Sequence, residues 1–147
     1  MAAVWGVWGV VVTALSLLCW GGQVVVVVAP DRAIDLGLLE EEAAVEPAFW
    51  ADARGEALWD VATLWSMVVA GALLVAGSDA WAYFGLAGGG AYLYFAGRGV
   101  VVRITMARSG LRIGNAASLR VAFVALAVWG AMAAITIGAA VADLAGG

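Results

Sequence analysis

The chain has 147 residues, 65% of them hydrophobic and 12% charged, with a mean hydropathy of +1.02 and a net charge of −4. A soluble domain of this size buries only about 60–70% of the surface of its unfolded chain, too little to hide so much apolar area, so a lipid environment is expected. The absence of histidine and the single cysteine, Cys19, exclude an intrachain disulfide, a Cys/His zinc site and the usual general base near neutral pH. The acidic balance argues against nucleic acid as a partner.

A helix needs about 20 apolar residues to cross roughly 30 Å of hydrocarbon. Residues 4–28, VWGVWGVVVTALSLLCWGGQVVVVV, carry no charge and cross with tilt. They lack a positive n-region, and their apolar run exceeds the roughly 7–15 residues of a signal peptide, so they read as a retained span. The valine run could form strand, but an open sheet edge leaves its backbone unsatisfied in lipid. Gln23 inside this span reads as a structural amide that bonds a neighbouring helix or sits near the interface.

The acidic segment 29–60 follows, with Asp31, Asp35, Glu40, Glu41, Glu42, Glu46, Asp52, Glu56 and Asp60 against only Arg32 and Arg54. Pro30 suits a first helical turn, Asp31 favours its dipole, and Gly37 can end it. Pro47 marks a second start, from which a helix is expected to run to about residue 77, projecting from the membrane before entering it. Gly55 is its one weak point, at about 1 kcal/mol. Asp52, Glu56 and Asp60 stand at i, i+4 and i+8 on that helix. They form a carboxylate stripe whose neighbours repel by a few tenths of a kcal/mol per pair. Arg54 lies two residues from Asp52 and from Glu56, so it faces elsewhere, and the arginine-rich segment downstream is the nearest source of a counter-charge.

Spans are expected at 61–78 and 80–97, separated by a tight turn at Asp79, and a last one at 121–142. Between them, 98–120 carries Arg98, Arg103, Arg108, Arg112 and Arg120 and no acid. The arginine spacings do not make one helical stripe, and the tract begins beyond an apolar run. It therefore reads as the flank of a span and not as a voltage sensor, since burying an arginine mid-membrane costs roughly 2.5–3.5 kcal/mol on insertion scales. Four spans put all seven arginines on one side. By the positive-inside rule both charged segments are cytoplasmic and both termini outside. The two segments, of net charge −7 and +5, either dock as a small cap or remain separately solvated. Trp5, Trp8, Trp59, Trp65 and Trp81 are expected near span ends, and Trp20 and Trp129 between helices.

The fold expected is all-α: an integral membrane four-helix bundle, one domain over 1–147, with a partly helical acidic cytoplasmic loop. Small residues let helices approach closely in lipid, so the Gly85/Gly89 face is expected to meet Gly130, Ala134 and Gly138, within one chain or across a dimer. The candidate polar interfacial cluster is Asp52, Arg54, Glu56, Asp60, Arg98 and Arg103. No P-loop, GxGxxG, HExxH or CxxC motif occurs, and neither a metal, a cofactor nor a catalytic residue is assigned.

The layout resembles the small DoxX-like four-span membrane proteins. The likeness rests on a first span closed by a proline (VAPDRAIDLGL), an arginine shortly before the second span (ADARGEALWD), two close spans and a fourth. The acidic insert around 40–52 departs from that pattern. The resemblance implies a fold and little about activity. The leading functional expectation is a non-enzymatic scaffold or accessory subunit of a prokaryotic cell membrane, with the lipid bilayer and a homo-oligomer or larger membrane complex as partners. The alternatives are a small transporter or channel, and a membrane enzyme using the interfacial cluster.

Overall fold

A computed structural model describes residues 2–146, with side chains from residue 5. The described residues are mainly helical, with no strand among them. In chain order they form α1 (Ala2–Val28), α2 (Pro30–Asp35), a 3-10 turn (Glu42–Ala44), α3 (Pro47–Thr63), α4 (Trp65–Val75), α5 (Trp81–Arg108) and α6 (Ala116–Gly146). Three helical stretches, Trp5–Val28, Pro47–Val75 and Ala116–Gly146, are long and apolar enough to cross a membrane.

Helix ends follow local chemistry. Pro30 and Pro47 open α2 and α3, where their missing N–H costs nothing. Gly37 takes φ +69° after α2, its N–H donates to the Ile34 carbonyl, and that of Leu38 donates to Ala33 at 2.8 Å. This is the paired closure that a left-handed glycine permits. Gly77 and Gly110 close α4 and α5 in the same way. Asn115 caps α6, its Oδ1 accepting from the N–H groups of Ala117 and Ser118 at 2.9 and 3.0 Å. The last helix therefore begins five residues before the expected span at 121, and α5 runs on past 97 to Arg108. Only residues 109–115 of the expected 98–120 loop lie outside helix.

Between α3 and α4 a single turn residue, Leu64, with φ −73° and ψ −17°, interrupts the helix. Ser66 Oγ donates to the Thr63 carbonyl at 2.8 Å and Trp65 Nε1 to that of Ala62 at 2.9 Å. Side chains thus take acceptors that the helix would use, and the Met67 N–H turns instead to Leu64 at 3.3 Å. Such competition interrupts the helical ladder without proline.

Glycines set how close the helices come. A β-carbon on Gly9 of α1 would stand 3.0 Å from the Gly71 carbonyl of α4, and one on Gly88 of α5 would stand 2.6 Å from the Met67 nitrogen. At Gly89 it would meet Ile137 of α6 at 2.5 Å, and at Gly85 it would meet Thr136 at 3.4 Å. The Gly85/Gly89 face thus rests on the stripe of Ala133, Thr136 and Ile137. Gly130 touches Ala96, whereas Ala134 and Gly138 are exposed. The expected partnership with those last two residues is therefore corrected within one chain. They lie about one residue's turn away from the buried stripe, a rotation that small-residue spacing alone cannot resolve.

Val12, Cys19, Leu64, Met67, Tyr92 and Met132 form the main core. Trp20 Nε1 donates to the Val61 carbonyl at 3.0 Å and Trp129 Nε1 to that of Leu15 at 3.1 Å, so both are packed between helices. Trp59 and Trp65 are exposed. Trp81 is buried, and its Nε1 donates to Asp143 Oδ2 at 3.1 Å, fixing the start of α5 to the end of α6.

The close approach of α4 and α5 predicts opposite outcomes at two neighbouring glycines. Gly88→Ala should lower stability by about 1–3 kcal/mol through overpacking. Gly90→Ala meets nothing within 4 Å and should raise stability by up to about 1 kcal/mol through helix propensity. Thermal unfolding in mild detergent measures both.

Candidate functional site: a charged clamp between α3 and α5

The carboxylate stripe of α3 faces α5. Arg98 spans its first two members: Nη2 donates to Asp52 Oδ1 at 2.5 Å, and Nη1 lies 2.8 Å from Glu56 Oε1. The side chains are only 26% (Arg98), 26% (Asp52) and 14% (Glu56) exposed. One guanidinium fork thus replaces the repulsion between two acids one turn apart with a shared cation, the geometry at which arginine surpasses lysine. Arg98 lies just beyond the apolar part of α5, and its pKa is held above the ordinary arginine value, first by the Asp52 hydrogen bond and then by Glu56, with burial opposing.

Asp60, the third member, is 2% exposed, and no donor among the described residues reaches its Oδ2. Glu56 and Arg98 are its charged neighbours. The stripe therefore leads from a half-buried ion pair to a sealed carboxylate, whereas periodicity alone suggests three equivalent solvated acids. Arg54 stands apart, as its spacing requires, with its guanidinium 5.2 Å from the centre of the Trp50 ring.

Arg103 lies over the Phe49 ring at 5.7 Å, and its Nη1 donates to the Gly99 carbonyl at 3.0 Å. None of the ion pairs among the described residues involves it. Burial lowers its pKa, with Glu56 and Asp52 opposing. Farther along, the Glu46 N–H donates to the Arg112 carbonyl at 2.8 Å, and Arg112 Nε donates to Glu46 Oε1 at 3.2 Å. Beneath these contacts Val45, Phe49 and Ile113 form a separate small core. The acidic and basic segments thus meet through one arginine bridging two carboxylates, one exposed pair, a backbone hydrogen bond and an apolar patch. Exposed pairs contribute only about 0–1 kcal/mol, so the half-buried Arg98 fork and the apolar patch account for most of the attachment.

The region also holds a cavity that no sequence feature marks. A cavity of about 520 Å³ opens beside the clamp, between α1 and α6, with Glu56 and Arg103 in its wall. Gln23 lines it too, which places the polar residue of the first apolar run. No cluster of three or more Cys, Asp or Glu side chains suited to a metal occurs among the described residues. In comparisons with known proteins, the chain matches no family model, no curated protein and no solved structure.

The clamp predicts unequal effects along one stripe. Arg98→Gln should cost about 1–3 kcal/mol, since it leaves two half-buried carboxylates facing each other. Glu56→Gln in the Arg98→Gln background should cost less than it does alone, with a coupling of about 0.5–3 kcal/mol. Asp60→Asn should be neutral or stabilising, because a buried amide is cheaper than a buried unpaired carboxylate. Detergent melts of the four variants measure all three effects.

Proposed function

We propose that the protein is a small multi-pass membrane protein of four spans, formed by α1, the α3–α4 rod, α5 and α6, with a DoxX-like layout. It acts as a non-enzymatic scaffold or accessory subunit in a prokaryotic cell membrane. Both termini lie outside, and the clamped end, from α2 to the start of α3 and from Arg98 to Arg120, lies in the cytoplasm. Support for this orientation is that every arginine belongs to that end.

The observation that carries the scaffold role is the outer face of α6. Ala127, Ala131, Ala134 and Gly138 are all exposed on it, and a β-carbon on Gly138 would meet nothing within 4 Å. In lipid, a surface of small residues favours close approach of another helix. A second copy or a larger membrane complex supplies that helix. A membrane enzyme or transporter built on Asp52, Arg54, Glu56, Asp60, Arg98 and Arg103 is the second reading, favoured by the cavity that Glu56 and Arg103 line. Against it, Asp52 and Glu56 are committed to Arg98, which leaves neither free as a general base.

Cross-linking in native membranes tests the scaffold role. In a Cys19→Ala background, Ala134→Cys should give a discrete higher-mass product with a short bis-maleimide, and Leu93→Cys, on the exposed side of α5, should not. No product from Ala134→Cys would contradict it. A phosphatase fused after Gly147 should be active outside the cytoplasm; activity of a cytoplasm-only reporter there would reverse the orientation.

A further inference from the structure

The cavity beside the clamp has a composition that the packing of the chain does not account for. Trp129 of α6 bridges to α1 at Leu15. From that bridge toward Val28, the space between α1 and α6 is open and lined by Leu18, Gly22 and Val26 on one side and by Ala125 and Trp129 on the other. Its volume, about 520 Å³, lies within the roughly 300–1,000 Å³ of small-molecule sites. The rim is apolar and outward-facing: Leu18 and Val121 are 69% and 70% exposed. On the four-span reading, on which this inference rests, that mouth opens sideways into hydrocarbon.

The inner end is different. Arg103 reaches the cavity with only a backbone carbonyl and the Phe49 ring as its close partners. Glu56 is in the same wall but is held by Arg98. Glu40 is there as well, with its Oε1 turned toward Gly114. A guanidinium at the end of an apolar chute calls for a counter-charge carried on an apolar body. Arginine is suited to this, since its planar donors match carboxylate and phosphate oxygens.

We propose that this cavity is a binding site for an amphiphile from the bilayer, with an acyl chain between α1 and α6 and a singly charged carboxylate or phosphate head on Arg103. Glu40 disfavours a more highly charged head. A free fatty acid and an anionic phospholipid share this chemistry, and the probes below separate them.

Trp129 and Trp50 line the cavity, so a brominated ligand should quench tryptophan fluorescence. The purified full chain in mild detergent is titrated with dibromostearic acid, its methyl ester and a brominated phosphatidylglycerol. The expected result is saturable quenching by at least one of the two acidic probes, weaker by about tenfold or more in Arg103→Gln, as loss of a charge-assisted contact implies. The methyl ester should not saturate. Saturation by the fatty acid alone or by the phospholipid alone identifies the source of the ligand.

Gly22→Leu provides a second variant that leaves the charge in place. A β-carbon there meets only Leu38, at 3.9 Å, so the larger side chain grows into the mouth and should abolish saturation while helical content is kept. Equal, unsaturable quenching in wild type, Arg103→Gln and Gly22→Leu would overturn the proposal. So would a methyl ester that binds as tightly as the acid. The titration reads the cavity in either orientation of the chain, whereas the Gly147 reporter reads topology alone, so failure of one is distinct from failure of the other.

Discussion

A helix that carries carboxylates into an apolar environment needs a counter-charge where it enters, and in this chain Arg98 supplies it. Asp52 and Glu56 stand one turn apart on α3, close enough to repel and too sheltered to be relieved by water alone. A single guanidinium from α5 holds both. That fork fixes α3 against α5 at the charged end of the molecule. At the same end Val45 and Phe49 meet Ile113. Away from this end, association depends on glycines instead: Gly9 with Gly71, Gly88 with Met67, and Gly89 with Ile137. Charge organises one end of the molecule, and close backbone approach organises the rest.

The two halves impose different tolerances. Where backbones touch, one added methyl group collides with main chain, which cannot move aside. At the clamped end, long side chains reach across a wider gap, and the gap between α1 and α6 remains as a cavity. Trp129 acts as the spacer between the two regions, since its indole both fills the core beside Phe95 and donates to α1.

Much of this arrangement was legible in the residues. Proline at 30 and 47 and glycine at 37 gave the right helix ends, because each acts through its own backbone. The i, i+4 spacing put Asp52 and Glu56 on one face and turned Arg54 away, and charge balance pointed to the downstream arginines as partners. What remained hidden depends on packing. Nothing local distinguishes Asp60 from Glu56, yet one is sealed and the other shares an arginine. The α6 stripe that receives Gly85 and Gly89 is Ala133, Thr136 and Ile137, not the neighbouring Ala134 and Gly138, because helix rotation is set by all contacts together. Helix α5 continues past the apolar run to Arg108, because arginine is a good helix former and no proline follows Gly97 in it. The start of α6 follows from local chemistry as well, since asparagine is a favoured N-cap residue and Asn115 caps it.

Arg98 sets the position of α3 on α5, and a distance between the two helices reads this directly. Spin labels at Ala51 and Val101, both exposed, in a Cys19→Ala background reconstituted into lipid nanodiscs, report that separation by pulsed electron paramagnetic resonance. The account predicts one narrow distance distribution in the otherwise native chain and a broadened or displaced one when Arg98→Gln is added. An unchanged narrow distribution in the Arg98→Gln protein would contradict it.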